Sequence, residues 1–86
     1  MPTSTINLTN LSIRQLPDKN GNTYYLIKDE ATGQGYFCFS ANLNSEDWTE
    51  LSTNWQNLKE LQLDYWTNDS GYNQVTKIHT EPDIYI

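Results

Sequence analysis

The chain has 86 residues, with five Lys or Arg against eleven Asp or Glu, a net charge of −6 and a pI near 4.3. That length makes one small domain, and that acidity opposes indiscriminate attachment to a phosphate backbone or an anionic membrane, both of which draw on Lys and Arg. The single cysteine, Cys38, excludes an internal disulfide and any multi-cysteine metal site.

Residues Met1 to Ser4 read as a loose lead-in without the basic and apolar regions of a signal peptide. No apolar run approaches the length of a bilayer span, so the expected location is cytoplasmic. Asn-x-Ser/Thr triplets begin at Asn7, Asn10 and Asn68, and in that setting they are chance products of an Asn-rich sequence. In the first strand, Thr5 to Leu16, Ile6 and Leu8 alternate, and Leu11 and Ile13 then alternate in the opposite phase. A strand has period two, so the slip predicts a bulge or bend near Thr9-Asn10. The stretch Pro17-Asp18-Lys19-Asn20-Gly21-Asn22 is a turn signal.

Thr23 to Asp29 and Tyr36 to Ser40 form a hairpin around the Gly-containing connection Ala31 to Gly35. Both sides of this hairpin carry apolar residues, with Tyr25 and Ile27 on one and Tyr24, Leu26 and Lys28 on the other. Such a strand meets the core on one face and a ligand, a partner or a second layer on the other. Trp48, Leu51, Trp55 and Leu58 then recur at helical spacing, predicting a helix from Glu46 to Leu58 with Ser45 as its N-cap. Leu61, Leu63 and Tyr65 alternate with Gln62, Asp64 and Trp66 in a fourth strand that turns Trp66 outward. Asn68-Asp69-Ser70-Gly71 is the next turn. Asn73 to Thr80 is a fifth strand, in which Val75 and Ile78, three apart, predict a twist or bulge. The tail, 81–86, ends in the apolar Ile84-Tyr85-Ile86.

The order strand, strand, strand, helix, strand, strand, with the segment Tyr25-Leu26-Ile27-Lys28-Asp29-Glu30-Ala31-Thr32-Gly33, resembles the oligonucleotide/oligosaccharide-binding (OB) fold across Ile6 to Thr80. The fold class is therefore mainly β with one helix, and the resemblance implies a small five-stranded OB-like barrel occupying 1–86. An SH3-like barrel or an open α+β sheet is the alternative. The resemblance also implies a ligand across the second and third strands, held by the loops joining strands one to two and four to five.

Catalysis has little to stand on. Cys38 lies inside an aromatic strand, His79 is far from it in sequence, and Glu46, Asp47 and Glu50 read as cap charges and a solvated helix face. Asp18, Asn20, Asn22 and Asp29 lack the spacing and closing Glu of a calcium loop. No enzyme activity, cofactor or metal is expected. Binding has more support. Rings at Tyr24 or Tyr25, at Tyr36, Trp66 and Tyr72, and at Phe37 or Phe39 offer stacking surfaces, and Arg14, Lys19, Lys28 and Lys77 offer a sparse basic stripe, with Asn20 in the first loop. Two readings follow. One is a protein-interaction module, facing a partner with a basic surface, that works as an accessory or inhibitory subunit of a nucleic-acid-processing assembly. The other is a single-stranded nucleic-acid-binding domain using the same strands and loops.

Overall fold

The computed structural model describes residues 3–79. The elements are β1 (Ser4–Leu8), β2 (Leu11–Pro17), β3 (Thr23–Asp29), β4 (Gly35–Cys38), α1 (Ser45–Asn54), β5 (Leu61–Thr67) and β6 (Asn73–His79). The strands form one sheet in the order β1-β5-β6-β4-β3-β2. Neighbours are antiparallel except β4 and β6, which run parallel.

The long first strand expected over Thr5 to Leu16 is interrupted at Thr9-Asn10 and becomes two strands. The expected five-stranded barrel is accordingly corrected to a six-stranded sheet with no ladder joining β1 to β2. The cause is the phase slip. Leu8 and Leu11 are both buried although three residues apart, which an unbroken strand cannot achieve. On one side of the break β1 pairs with β5, and on the other β2 pairs with β3. The two ends of the strand order are thus consecutive in the chain. A flat sheet of six strands would hold its ends roughly 24 Å apart at ~4.8 Å per strand. Leu8 and Leu11 can be separated by at most about 11 Å of extended chain, so the sheet must curl.

The β2–β3 and β5–β6 connections are two copies of one loop. Asp18 and Asn68 open them, and each donates its backbone N–H to the carbonyl four residues on, at 2.7 and 2.9 Å. Each side-chain Oδ1 accepts from the N–H groups two and four residues later. Gly21 and Gly71 close the loops at φ of 84° and 87°, in the region other residues avoid. The β3–β4 connection is a variant, in which the Asp29 carboxylate accepts from the Ala31 N–H and the Thr32 hydroxyl.

The helix begins one residue earlier than expected. Its N-cap is Asn44, whose Oδ1 accepts from the Asp47 N–H at 2.7 Å, and Ser45 is the first helical residue. It ends at Asn54 with Trp55 as C-cap, short of the expected Leu58. An N–H···O bond from Asn57 to Asn54 turns the chain away there. Leu51 is fully buried, and Trp48, Trp55 and Leu58 pack against the core. The buried Tyr25 ring lies 5.3 Å from Trp48 and 5.9 Å from Trp55, and its hydroxyl accepts from Gln15 Nε2.

Val75 and Ile78 both point into the core because Thr76 is an extra residue: Tyr65 pairs with Val75 and Asp64 with Lys77. This is the irregularity their spacing predicts. Beside it the Ile78 N–H donates to the Asp47 carboxylate at 3.1 Å, tying the first turn of α1 to β6. Thr80, expected to end the last strand, and the tail lie outside the described residues.

Leu51→Ala should lower stability by about 2–5 kcal/mol, since the curled sheet cannot collapse onto the vacated volume. The denaturant midpoint measures it, with the slope of the transition unchanged.

Candidate binding surface

The hairpin's two faces are now distinguished. Tyr25, Ile27, Tyr36 and Cys38 turn into the core. Tyr24, Leu26, Phe37 and Phe39 turn outward and are half-buried. The ladders place Arg14 beside Leu26, Leu26 beside Phe37, Phe37 beside Gln74 and Gln74 beside Trp66, forming one row across five strands. Leu16 and Tyr24 form a neighbouring row, Ser12 and Lys28 another. The rings touch one another: Tyr24 and Phe39 at 5.1 Å, Tyr24 and Phe37 at 6.2 Å, Phe37 and Phe39 stacked at 6.3 Å. Tyr72, 54% exposed, meets Phe37 edge-on at 5.5 Å. Phe37, Phe39, Tyr72 and Gln74 line an open groove of about 260 Å³.

The expected site residues divide. Arg14, Tyr24 and Lys28 share this outer wall, and Tyr72 joins it from the β5–β6 loop. Trp66 is half-buried on the far side of Gln74, in the same row, and lines an open cleft of about 720 Å³ with Ser4, Tyr65 and the loop after β5. Lys19 and Asn20 are exposed in the β2–β3 loop, at the Tyr24 end of the wall. Lys77 is exposed opposite Asp64, away from the ring cluster. Tyr36 is corrected to a core residue. It is 3% exposed and packs edge-on against Tyr65 at 5.1 Å, and burial raises its hydroxyl pKa above the usual phenol value. Leu16, Leu26 and Gln74 belong to the wall and were not among the expected residues. The alternation that puts Leu26 with Tyr24 and Lys28 is their signal, once the open side is known.

Among the described residues the only ion pair joins His79 and Asp64; Arg14 and Lys28 make none there, and the Glu30 carboxylate, held by the Ser12 hydroxyl at 2.6 Å, stands at their end of the wall. The wall therefore offers rings, aliphatic carbon and, at its β2–β3 end, two cations with one carboxylate near them. It can stack and bury planar or apolar groups and attract anionic ones.

Reactive groups elsewhere are tied up. Cys38 is fully buried, and burial pushes its thiol far above its ordinary pKa, which suppresses the nucleophilic thiolate. Asp64 accepts from the Thr5 hydroxyl at 2.6 Å and lies 3.3 Å from His79 Nε2. The Thr5 hydrogen bond first, and His79 after it, hold its pKa below the ordinary carboxylate value. No group of three or more His, Cys, Asp or Glu among the described residues is placed to hold a metal ion. No helix among them is long and apolar enough to cross a membrane.

Comparison with protein-family models, curated proteins and solved structures finds no match to this chain.

Two measurements check these environments. Cys38 should resist a thiol-reactive dye in the native protein and react on unfolding, at a rate tracking the unfolded fraction. Asp64 should titrate below its unfolded value of about 3.9. Its ionised form therefore favours the fold above that pH, and this contribution is lost as pH falls through the lower folded pKa. Thr5→Val should raise the Asp64 midpoint, read from the carboxyl carbon resonance against pH.

Proposed function

We propose that this chain is a small acidic, non-catalytic protein-interaction module that docks through the Tyr24–Phe37–Phe39–Tyr72 wall. The observation that carries the proposal is the continuous ring cluster on the outward face of a sheet whose inward face already holds a complete core. Contiguous apolar surface of this kind marks interaction sites on soluble domains, and aromatic anchors beside Arg are typical of the residues that carry binding energy.

The setting we infer is a nucleic-acid-processing assembly, with the chain as an accessory or inhibitory subunit. Its support is architectural. Counting β1 and β2 as one bent strand gives five strands, with the helix between the third and fourth. The curl then brings the sheet toward an OB-type, partly open Greek-key barrel. Fold likeness does not by itself fix function. The cations on the wall suit an anionic partner there, whereas a basic partner would meet the exposed Glu46 and the rest of the acidic surface. Those same cations beside rings favour the second reading, a platform for single-stranded nucleic acid.

One experiment separates the readings. Phe37→Ser should keep a cooperative unfolding transition and abolish capture of the protein partner from native cells. Tyr36→Ala should cost about 3–5 kcal/mol of stability, as truncation of a core ring does. Labelled single strands should show no tight, salt-sensitive binding at moderate salt. Tight binding that falls steeply with salt would give the wall to nucleic acid and overturn the protein-docking reading.

A further inference from the structure

The β2–β3 and β5–β6 loops share their hydrogen bonds and differ in the residue before the glycine. Aligned on their first residues, Asp18 corresponds to Asn68, Asn20 to Ser70 and Gly21 to Gly71. Both glycines have positive φ, and only in the first loop does an asparagine precede one. Asn20 is the one asparagine of the chain followed by glycine.

That pair holds an electrophile and a nucleophile in adjacent residues. The Gly21 amide nitrogen can close a succinimide ring on the Asn20 Cγ, and glycine hinders closure least because it has no Cβ and a permissive backbone. The nitrogen loses its proton and attacks Cγ. The N–Cγ bond forms, the Cγ–Nδ2 bond breaks, and Nδ2 leaves as ammonia with a proton from water. A second step adds water at either ring carbonyl and gives aspartate or isoaspartate. Water is the only co-reactant, and nothing is oxidised or reduced.

The loop exposes one reactant and restrains the other. Asn20 is exposed, and its carboxamide makes no hydrogen bond among the described residues. The position a Gly21 Cβ would take has nothing within 4 Å. The Gly21 N–H, however, donates to the Asp18 carbonyl at 3.0 Å. Asp18 Oδ1 also accepts from the Asn20 and Asn22 N–H groups at 2.8 and 2.9 Å. A nitrogen engaged as a donor keeps its proton, and a pinned backbone cannot bring Cγ over it. Ring closure therefore waits for the loop to open, a local event that costs less than unfolding the sheet. Asn44, followed by the small Ser45, is a contrast: its Oδ1 caps α1, and the nitrogen it would need belongs to the first helical residue.

We propose that Asn20 is a self-modifying site, converting to aspartate and isoaspartate in the folded protein at a rate set by the Asp18 hydrogen bonds. The product carries a new carboxylate beside Lys19, at the Tyr24 end of the wall. This chemistry is independent of what the wall binds.

The test holds the full chain in mildly alkaline buffer at physiological temperature and follows its peptides by mass spectrometry, with isoaspartate detected by enzymatic methylation. The expected result is exchange of NH2 for OH at Asn20 ahead of every other asparagine, more slowly than in the same chain unfolded in urea. Asp18→Ala removes two hydrogen bonds and should speed the native reaction about tenfold. Asp18→Asn should stay near the parent rate, because Asn68 makes the same bonds in the other loop. Ser70→Asn should create a second site of similar rate. Each variant is compared only where it keeps the parent's cooperative unfolding transition. An Asn20 that stays intact in the native protein while the unfolded chain converts completely would overturn the proposal, as would earlier conversion elsewhere. A native rate indifferent to Asp18→Ala would overturn the restraint assigned to Asp18. Should that variant not fold, Ser70→Asn decides: a second loop that stays unmodified while Asn20 converts would overturn the role given to the shared loop geometry.

Discussion

The constraint on which the rest depends is the two-residue link Thr9-Asn10. It joins β1 and β2, the two ends of the strand order, and leaves the sheet no option but to curl. A curled sheet has an inside, and the inside is too wide to be filled by strand residues alone. The helix supplies what is missing. Leu51 enters the core, and Trp48 and Trp55 close over the ring of Tyr25. With three tryptophans and six tyrosines, an 86-residue chain can fill such a space with few side chains. Had β1 continued straight into β2, Leu8 and Leu11 would have faced opposite sides and one of them would have stood in water.

The helix is held to the sheet by a polar contact as well as by packing. The extra residue Thr76 disturbs the β5–β6 ladder and leaves the Ile78 N–H turned to the Asp47 carboxylate. Asp47 also sits in the first turn, where its charge suits the helix dipole and its own N–H is held by Asn44. The bulge that lets Val75 and Ile78 share the core thus also creates the donor that anchors the helix. A local departure from period two is used twice, once for packing and once for orientation.

Much of this was legible in the residues. The run Thr23 to Asp29 is a strand with the expected ends, because Asn-Gly before it and Thr-Gly after it punctuate it unambiguously. The breaks at Thr9-Asn10 and at Thr76 were visible as slips in hydrophobic phase. The helix cap was displaced because Asn44 and Ser45 are both good caps, and only the bond to Asp47 decides between them. The two faces of the β3–β4 hairpin were not separable, since each carries aromatic residues, and which one the helix covers is a tertiary fact. Tyr36 was accordingly expected on the surface, yet it shares the inner side with Tyr25, Ile27 and Cys38. The parallel pairing of β4 with β6 left no local trace either, because it joins residues almost forty positions apart.

The wall differs in charge from the molecule that carries it. Of the five basic residues, Arg14 and Lys28 are on it, Lys19 stands in the loop at its end, and the eleven acids are drawn mainly from the helix, the loops and the tail. A chain with net charge −6 repels its own copies at long range, which protects an exposed apolar face from indiscriminate aggregation. At short range Arg14 and Lys28 soften that field at one end of the wall, where Glu30 is the nearby carboxylate. On the proposed docking function, selectivity would come from needing both features together. A purely apolar segment gains nothing from the cations and still meets the acidic field. A purely acidic one gains little from the exposed cations once salt screens them. On that same proposal, a segment that combines a carboxylate with an aromatic or branched aliphatic side chain would satisfy both.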